Sequence, residues 1–177
     1  AKKDNSKISV VTTIFPYYDF ARNIVEDKAD VKLLLSPGNE PHHYEPSPSD
    51  IVAIEECDIF IYNGGESDEW VENVLDSLEN KSVTVLKMVD YVSLLNEKNP
   101  DHTDGDEEDE HIWTSVRNSE QLVTAISNAV MDKDEKNKSD YENNTAEYLS
   151  RLEKLDSEFI DAVNNKKRDT VVFGDRF

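Results

Sequence analysis

The chain has 177 residues, enough for one full core and the beginning of a second but short of two domains of ordinary size. Its 39 acidic side chains against 19 basic ones leave a formal net charge of -20, which repels nucleic acid and anionic membrane surfaces and suits a cationic partner. The single cysteine, Cys57, excludes an intrachain disulfide framework and a cysteine-rich zinc cluster, so transition-metal chemistry has to rest on imidazole and carboxylate.

From the amino end, Ala1 to Lys7 is polar and lacks an apolar signal core. It reads as an ordinary terminus or as the tether left once a signal and a lipidated cysteine are gone. No apolar run approaches the ~20 residues that a bilayer crossing requires. Ile8 to Ile14 is a β-branched run, and beyond Pro16 the residues Tyr17, Phe20, Ala21, Ile24 and Val25 fall at helical spacing, which predicts a strand and then a helix. Val31 to Leu35 reads as a strand buried on both faces, closed by Ser36, Pro37 and Gly38. A turn-rich stretch follows, and Ser47-Pro48-Ser49-Asp50 marks a helix start with Ser47 as cap and Asp50 in the capping-box position. Asp58 to Tyr62 is a further strand, Asn63-Gly64-Gly65 breaks it, and Ser67 is expected to cap a helix whose apolar face is Trp70, Val71, Val74, Leu75 and Leu78. Val83 to Met88 completes an alternation of strands and helices, the pattern of an α/β fold with a parallel sheet. Cys57, Trp70 and Trp113 read as packing residues.

The segment from Asn96 to Glu110 is polar and acidic and predicts a mobile loop. Helical spacing returns at Leu122, Ala125, Ile126, Ala129 and Val130. A second stripe then runs through Tyr141, Thr145, Tyr148, Leu152, Leu155, Phe159 and Val163, predicting a helix from Ser139 to Asn164 that is roughly 40 Å long. Thr170 to Phe173 reads as the strand of a new βα unit.

The chemistry-bearing residues are sparse. There are 4 histidines: His42, His43, His102 and His111. His42 and His43 sit in Pro41-His42-His43-Tyr44-Glu45-Pro46, right after a predicted parallel strand. Loops at the carboxyl ends of such strands build ligand sites, and imidazole is a common transition-metal ligand. Spacing alone leaves them open as solvated loop histidines. His111 stands where the acidic segment meets Ile112-Trp113; locally it reads either as a ligand or as a helix-approach residue satisfied by a backbone carbonyl. His102 lies within the acidic run, either simply solvated or part of a weak cation-gathering loop. Neither a nucleophile with an adjacent base nor a phosphate-binding glycine loop is evident, so an enzyme is not expected.

Thr12-Thr13-Ile14-Phe15-Pro16, the segment Pro41 to Asp50, Asp58 to Gly65 and Glu110-His111-Ile112-Trp113 occur in one order that resembles the zinc and manganese solute-binding proteins of bacterial ABC transporters. The resemblance implies two α/β lobes joined by a rigid long helix, with the metal held in the cleft between them. On that pattern the chain is a tether over 1–7, a parallel sheet lobe with flanking helices over 8–138 (acidic loop 96–110), a linking helix over 139–166 and the first strand of a truncated second lobe over 167–177. His42 matches the family's first histidine ligand and His111 its second. The third ligand follows the second lobe's first strand, where this chain has Gly174-Asp175-Arg176-Phe177. Asp175 is the carboxylate available there, whereas a shift of register by one residue brings Arg176, which cannot ligate. The acidic segment matches the insertion associated with zinc, with manganese as the alternative, although it holds only His102. Val116 stands where the family often has proline, which would leave the next helix start less defined. The implied function is extracytoplasmic capture of a divalent transition metal for an ABC permease, by a secreted and lipid-anchored protein. A surface adhesin with incidental histidines is the alternative, and a hydrolytic metalloenzyme a more distant one. An uncovered apolar stripe on the long helix would also favour self-association.

Overall fold

Short apolar and β-branched runs form the sheet of the computed structural model, which describes residues 7–35, 38, 44–80, 82–93, 96–97 and 107–170. Its strands are β1 (Ser9–Thr12), β2 (Asp30–Leu33), β3 (Ile59–Tyr62) and β4 (Thr84–Lys87), all parallel and in the order β2-β1-β3-β4. Parallel neighbours need crossovers, supplied by α1 (Phe15–Val25), α2 (Pro48–Glu55) and α3 (Glu69–Ser77). The strand and helix alternation read from the sequence is therefore one α/β sheet.

The pleat sends successive side chains to opposite faces. In β3, where every residue is buried, Ile59 and Ile61 join a core with α1, α4 (Val116–Lys133) and α5 (Lys138–Asn164), while Phe60 and Tyr62 join a second core with Ile54 of α2 and Val71 and Val74 of α3. Cys57 is buried in that second core, as expected. The carboxylate of Asp58 fixes the entry to the sheet by accepting from the backbone N–H and hydroxyl of Ser9 at 2.7 and 3.0 Å.

β2 departs from its sequence reading. It is an edge strand whose residues alternate between exposed and half-buried, and full burial begins only at Leu34 and Leu35 beyond it. The alternation of Asp30 and Lys32 with Val31 and Leu33 reflects that edge position. The ends of the acidic segment also differ from an irregular loop: β5 (Asn96–Glu97) and β6 (Glu107–Glu108) pair antiparallel.

Helix starts follow local chemistry. At α2 the Asp50 carboxylate accepts from the Ser47 N–H at 3.1 Å and from its hydroxyl at 2.6 Å, so the predicted capping residues are engaged. At α4 the Ser115 hydroxyl accepts from the Asn118 N–H at 3.4 Å, which defines the start with Val116 as the first helical residue. α5 spans 27 residues, about 40 Å, close to its predicted bounds. Its near half is fastened to the lobe: Tyr141 is fully buried with its hydroxyl on Asp134 at 2.7 Å, Thr145 meets Ser127 at 2.7 Å, and Tyr148 packs edge-on to Phe20. The far half carries Leu155, Phe159, Ile160 and Val163 into solvent. The predicted strand from Thr170 lies outside the described residues except for Thr170 itself. Among the described residues no helix is long and apolar enough to cross a membrane.

Candidate metal centre

The carboxyl ends of the parallel strands open on one side of the sheet, which is where loops can gather around a ligand. After β3 the chain turns at Gly64 and Gly65, both in the left-handed region at φ 90° and 85°. Glycine is required at Gly65 for a second reason, since an added Cβ would stand 2.5 Å from the Glu110 carboxylate. The next turn is a short 3-10 segment, Glu66–Asp68, that leads into α3. Ser67 does not cap α3 as its sequence suggested. Its hydroxyl instead donates to Glu110, its backbone N–H approaches the same carboxylate at 3.3 Å, and α3 begins past Asp68.

Asp68 is almost fully buried and turns back to accept the N–H groups of Asn63 and Gly64 at 2.8 and 3.0 Å. Burial pushes its carboxyl up to about 6; the two N–H bonds pull it down and the charge of Glu110 adds to the rise. Asn63, buried beside it, accepts a hydrogen bond from the Tyr17 hydroxyl and donates to the Glu110 carbonyl at 2.9 Å. Burial first, and then the carboxylates of Asp68 and Glu110, hold the Tyr17 phenol far above its ordinary range, so it stays a donor.

This turn grips the segment that carries His111. The His111 backbone N–H and its ring Nδ1 both meet the Asp109 carboxylate oxygen Oδ1 at 2.9 Å. Chiefly the backbone N–H of His111, and then its ring, hold Asp109 below the usual carboxylate range, so Asp109 is ionised and can only accept. That assigns the neutral-ring proton to Nδ1 and the ring's lone pair to Nε2; the same carboxylate-to-histidine pairing is the one that orients imidazoles in metal sites generally. The ring is about half exposed and lies 5.6 Å, centroid to centroid, from Trp113, which in turn meets Tyr17 edge-on at 6.4 Å. His111 stands at the cap position of the 3-10 turn Ile112–Thr114, but its side chain does not cap it; its Nδ1 meets a carboxylate two residues earlier, which aims the ring. Trp113 packs as expected, with the addition that it forms a wall of the histidine's surroundings.

His42, His43, His102 and Asp175 lie outside the described residues, so the structure speaks for His111 alone of the three expected ligands. Among the described residues no group of three or more histidine, cysteine or acidic side chains is placed to hold an ion. The described chain resumes at Tyr44, whose ring packs edge-on to Trp70 at 5.5 Å and whose hydroxyl donates to Asp50 at 3.0 Å, tying the histidine-bearing loop's exit to α2 and α3. Sequence reading missed Asn63, Asp68, Asp109 and the side chain of Glu110. The Asp-x-His spacing of 109 to 111 was a local signal, and Asp68 closes on Asn63 and Gly64 within five residues; the contacts of Asn63 and Ser67 with Glu110 span more than 40 residues of sequence.

Residues 10–177 match the family model for ZnuA, the periplasmic component A of the zinc-uptake complex. The chain is 32% identical over 179 residues to the zinc-binding lipoprotein AdcA of Streptococcus pneumoniae (strain ATCC BAA-255 / R6), covering 97% of this chain and 36% of AdcA. The crystal structure of Zn(II)-bound AdcA from that species aligns with a TM-score of 0.78 at 32% identity, over 92% of this chain and 34% of that one. The high-affinity zinc uptake system protein ZnuA of Bacillus subtilis (strain 168) is 35% identical over 164 residues, 88% of this chain and 51% of that protein. The solute-binding protein FpvC of Pseudomonas aeruginosa in complex with Mn2+ aligns with a TM-score of 0.77 at 29% identity, over 92% of this chain and 58% of that one. The chain therefore spans about a third to a half of the length of these curated relatives.

Proposed function

Because the chain belongs to the family of the zinc-uptake complex component ZnuA, we propose that it captures a divalent transition metal, zinc before manganese, outside the cytoplasm and passes it to the permease of an ABC transporter. The metal is cargo, and no bond is made or broken in the substrate, so the reading is of a binding protein and not an enzyme. The observation that carries it is the aimed imidazole of His111, with Nδ1 held by Asp109 so that Nε2 is the coordinating nitrogen at the carboxyl end of a parallel sheet. Imidazole and carboxylate suit zinc, and the relatives named as zinc-binding or zinc-bound favour it over manganese.

In this reading His42 and Asp175 join His111 as ligands. Residues 8–138 act as one lobe, and residues 139–166 as the helix that links it to another lobe. A lipid anchor on the outer side of the membrane accords with the lipoprotein name of AdcA.

Calorimetric titration of zinc into the intact protein that carries this chain tests the proposal. Binding should weaken as the pH falls, because a protonated imidazole cannot coordinate. The double variant His42→Ala, His111→Ala should lose it. Equal affinity in that variant, or no binding by the intact protein, would sink the reading.

A further inference from the structure

We propose that Asn63 is a positioning residue for the metal ligand His111, acting by clamping the peptide group that precedes it. The inference deepens the metal-capture reading and rests on it. The Glu110 carbonyl and the His111 amide belong to one planar peptide unit, whose C=O and N–H point in opposite directions. Both are held: the carbonyl by Asn63 Nδ2 at 2.9 Å, and the N–H by Asp109 at 2.9 Å. The same Asp109 oxygen fixes the ring through Nδ1. The plane of the peptide and the orientation of the imidazole are thus set together, before any metal arrives.

Asn63 suits this task because its own amide has little freedom. It is 3% exposed, its Oδ1 takes the Tyr17 hydroxyl, and its Nδ2 also reaches the Gly64 carbonyl at 3.0 Å. Its backbone is fixed as well, with its N–H on Asp68 at 2.8 Å and its carbonyl accepting from the Val89 N–H at 3.0 Å. The clamp is therefore anchored in β3 and α1, the rigid part of the lobe, and reaches across 47 positions of sequence to the ligand segment. Glu110, seated against Gly65 and Ser67, holds the same segment from its side chain. Preorganisation of this kind lowers the cost of ordering a ligand residue when the metal binds.

The test uses zinc competition against a chelator of known affinity on the intact protein that carries this chain, with parallel thermal melts and imidazole 15N spectra of its metal-free form. Asn63→Ala should bind zinc about 10- to 100-fold more weakly, the range seen when outer partners of a ligand are removed. The Nδ1 proton of His111, identified by its absence in His111→Ala, should exchange faster with water. Thr145→Ala, which removes a buried hydroxyl contact on α4 and α5, should lose stability yet keep the parent's affinity and proton signal. If Asn63→Ala does not fold, Tyr17→Phe decides, with affinity about 3- to 10-fold weaker expected from loss of one hydrogen bond to the clamp. Parental affinity in whichever of these two variants is scored, with His111→Ala still impaired, overturns the clamp. Parental affinity in His111→Ala, or an intact protein that binds no zinc, overturns the capture reading itself.

Discussion

The turn that closes β3 and the far half of α5 are both places where the chain leaves the core, and they leave it in opposite ways. At the turn, polar groups are drawn inward and paired: Asp68 with two backbone N–H groups, Asn63 with Tyr17 and Glu110, Glu110 with Ser67. On α5 beyond Leu152, apolar groups are carried outward, with Phe159 at 57% and Val163 at 62% exposure. The turn is complete within the lobe, so its geometry is fixed without help. The helix end keeps an ion pair to the lobe, Asp156 with Arg117 at 3.4 Å, but its apolar groups stay exposed. His111, the candidate ligand, is attached to the first kind of surface.

Substitutions at the two places should therefore differ in kind. The largest effect is expected at Asp68, whose carboxyl is raised from 3.8 to about 6 by burial. Between those values the folded chain holds a proton that the unfolded chain has lost, so this group's contribution is present at low pH and disappears as pH rises through about 6. The raised value corresponds to about 3 kcal/mol of stability lost over that window. Urea unfolding from pH 4 to 7 should show that decline in the parent relative to Asp68→Asn; parallel profiles would contradict it. Gly65→Ala should cost about 2 kcal/mol by the same measurement, from left-handed strain together with the crowding of Glu110. Ser67→Ala should cost about 1 kcal/mol through the hydroxyl bond to Glu110. Phe159→Ser, at the far end of α5, should shift stability by less than about 0.5 kcal/mol. A cost at Phe159 equal to that at Gly65 would erase the distinction between the two regions.

What could be read in advance divides along the same line. The strands, the capping residues Ser47 and Asp50, and the bounds of α5 follow from spacing over a few residues, and each stands close to where the sequence put it. The periodicity of α5 also gave a stripe from Tyr141 to Val163, but not the point past Leu152 at which the lobe stops covering it. Strand order is equally invisible to local pattern, so Val31 to Leu35 looked central although β2 is an edge. At the site, His111 was legible as a candidate because it is a histidine in a marked setting. Its support was not, since Asn63 and Ser67 meet Glu110 across 47 and 43 positions. Ser67 misled for the same reason: as a helix cap it is a good local choice, and a distant carboxylate outcompetes that role.

The tilted packing of Trp113 beside His111 has an optical consequence. The chain holds only 2 tryptophans, and the other, Trp70, packs against Tyr44 on the opposite side of the sheet. Trp113 emission then reports on the neighbouring imidazole, since a change in that ring's charge or coordination alters its brightness, while Trp70 reports on Tyr44 at the exit of the loop before it. With Trp70 replaced by phenylalanine, the remaining emission would follow events at His111 in real time, without any attached dye.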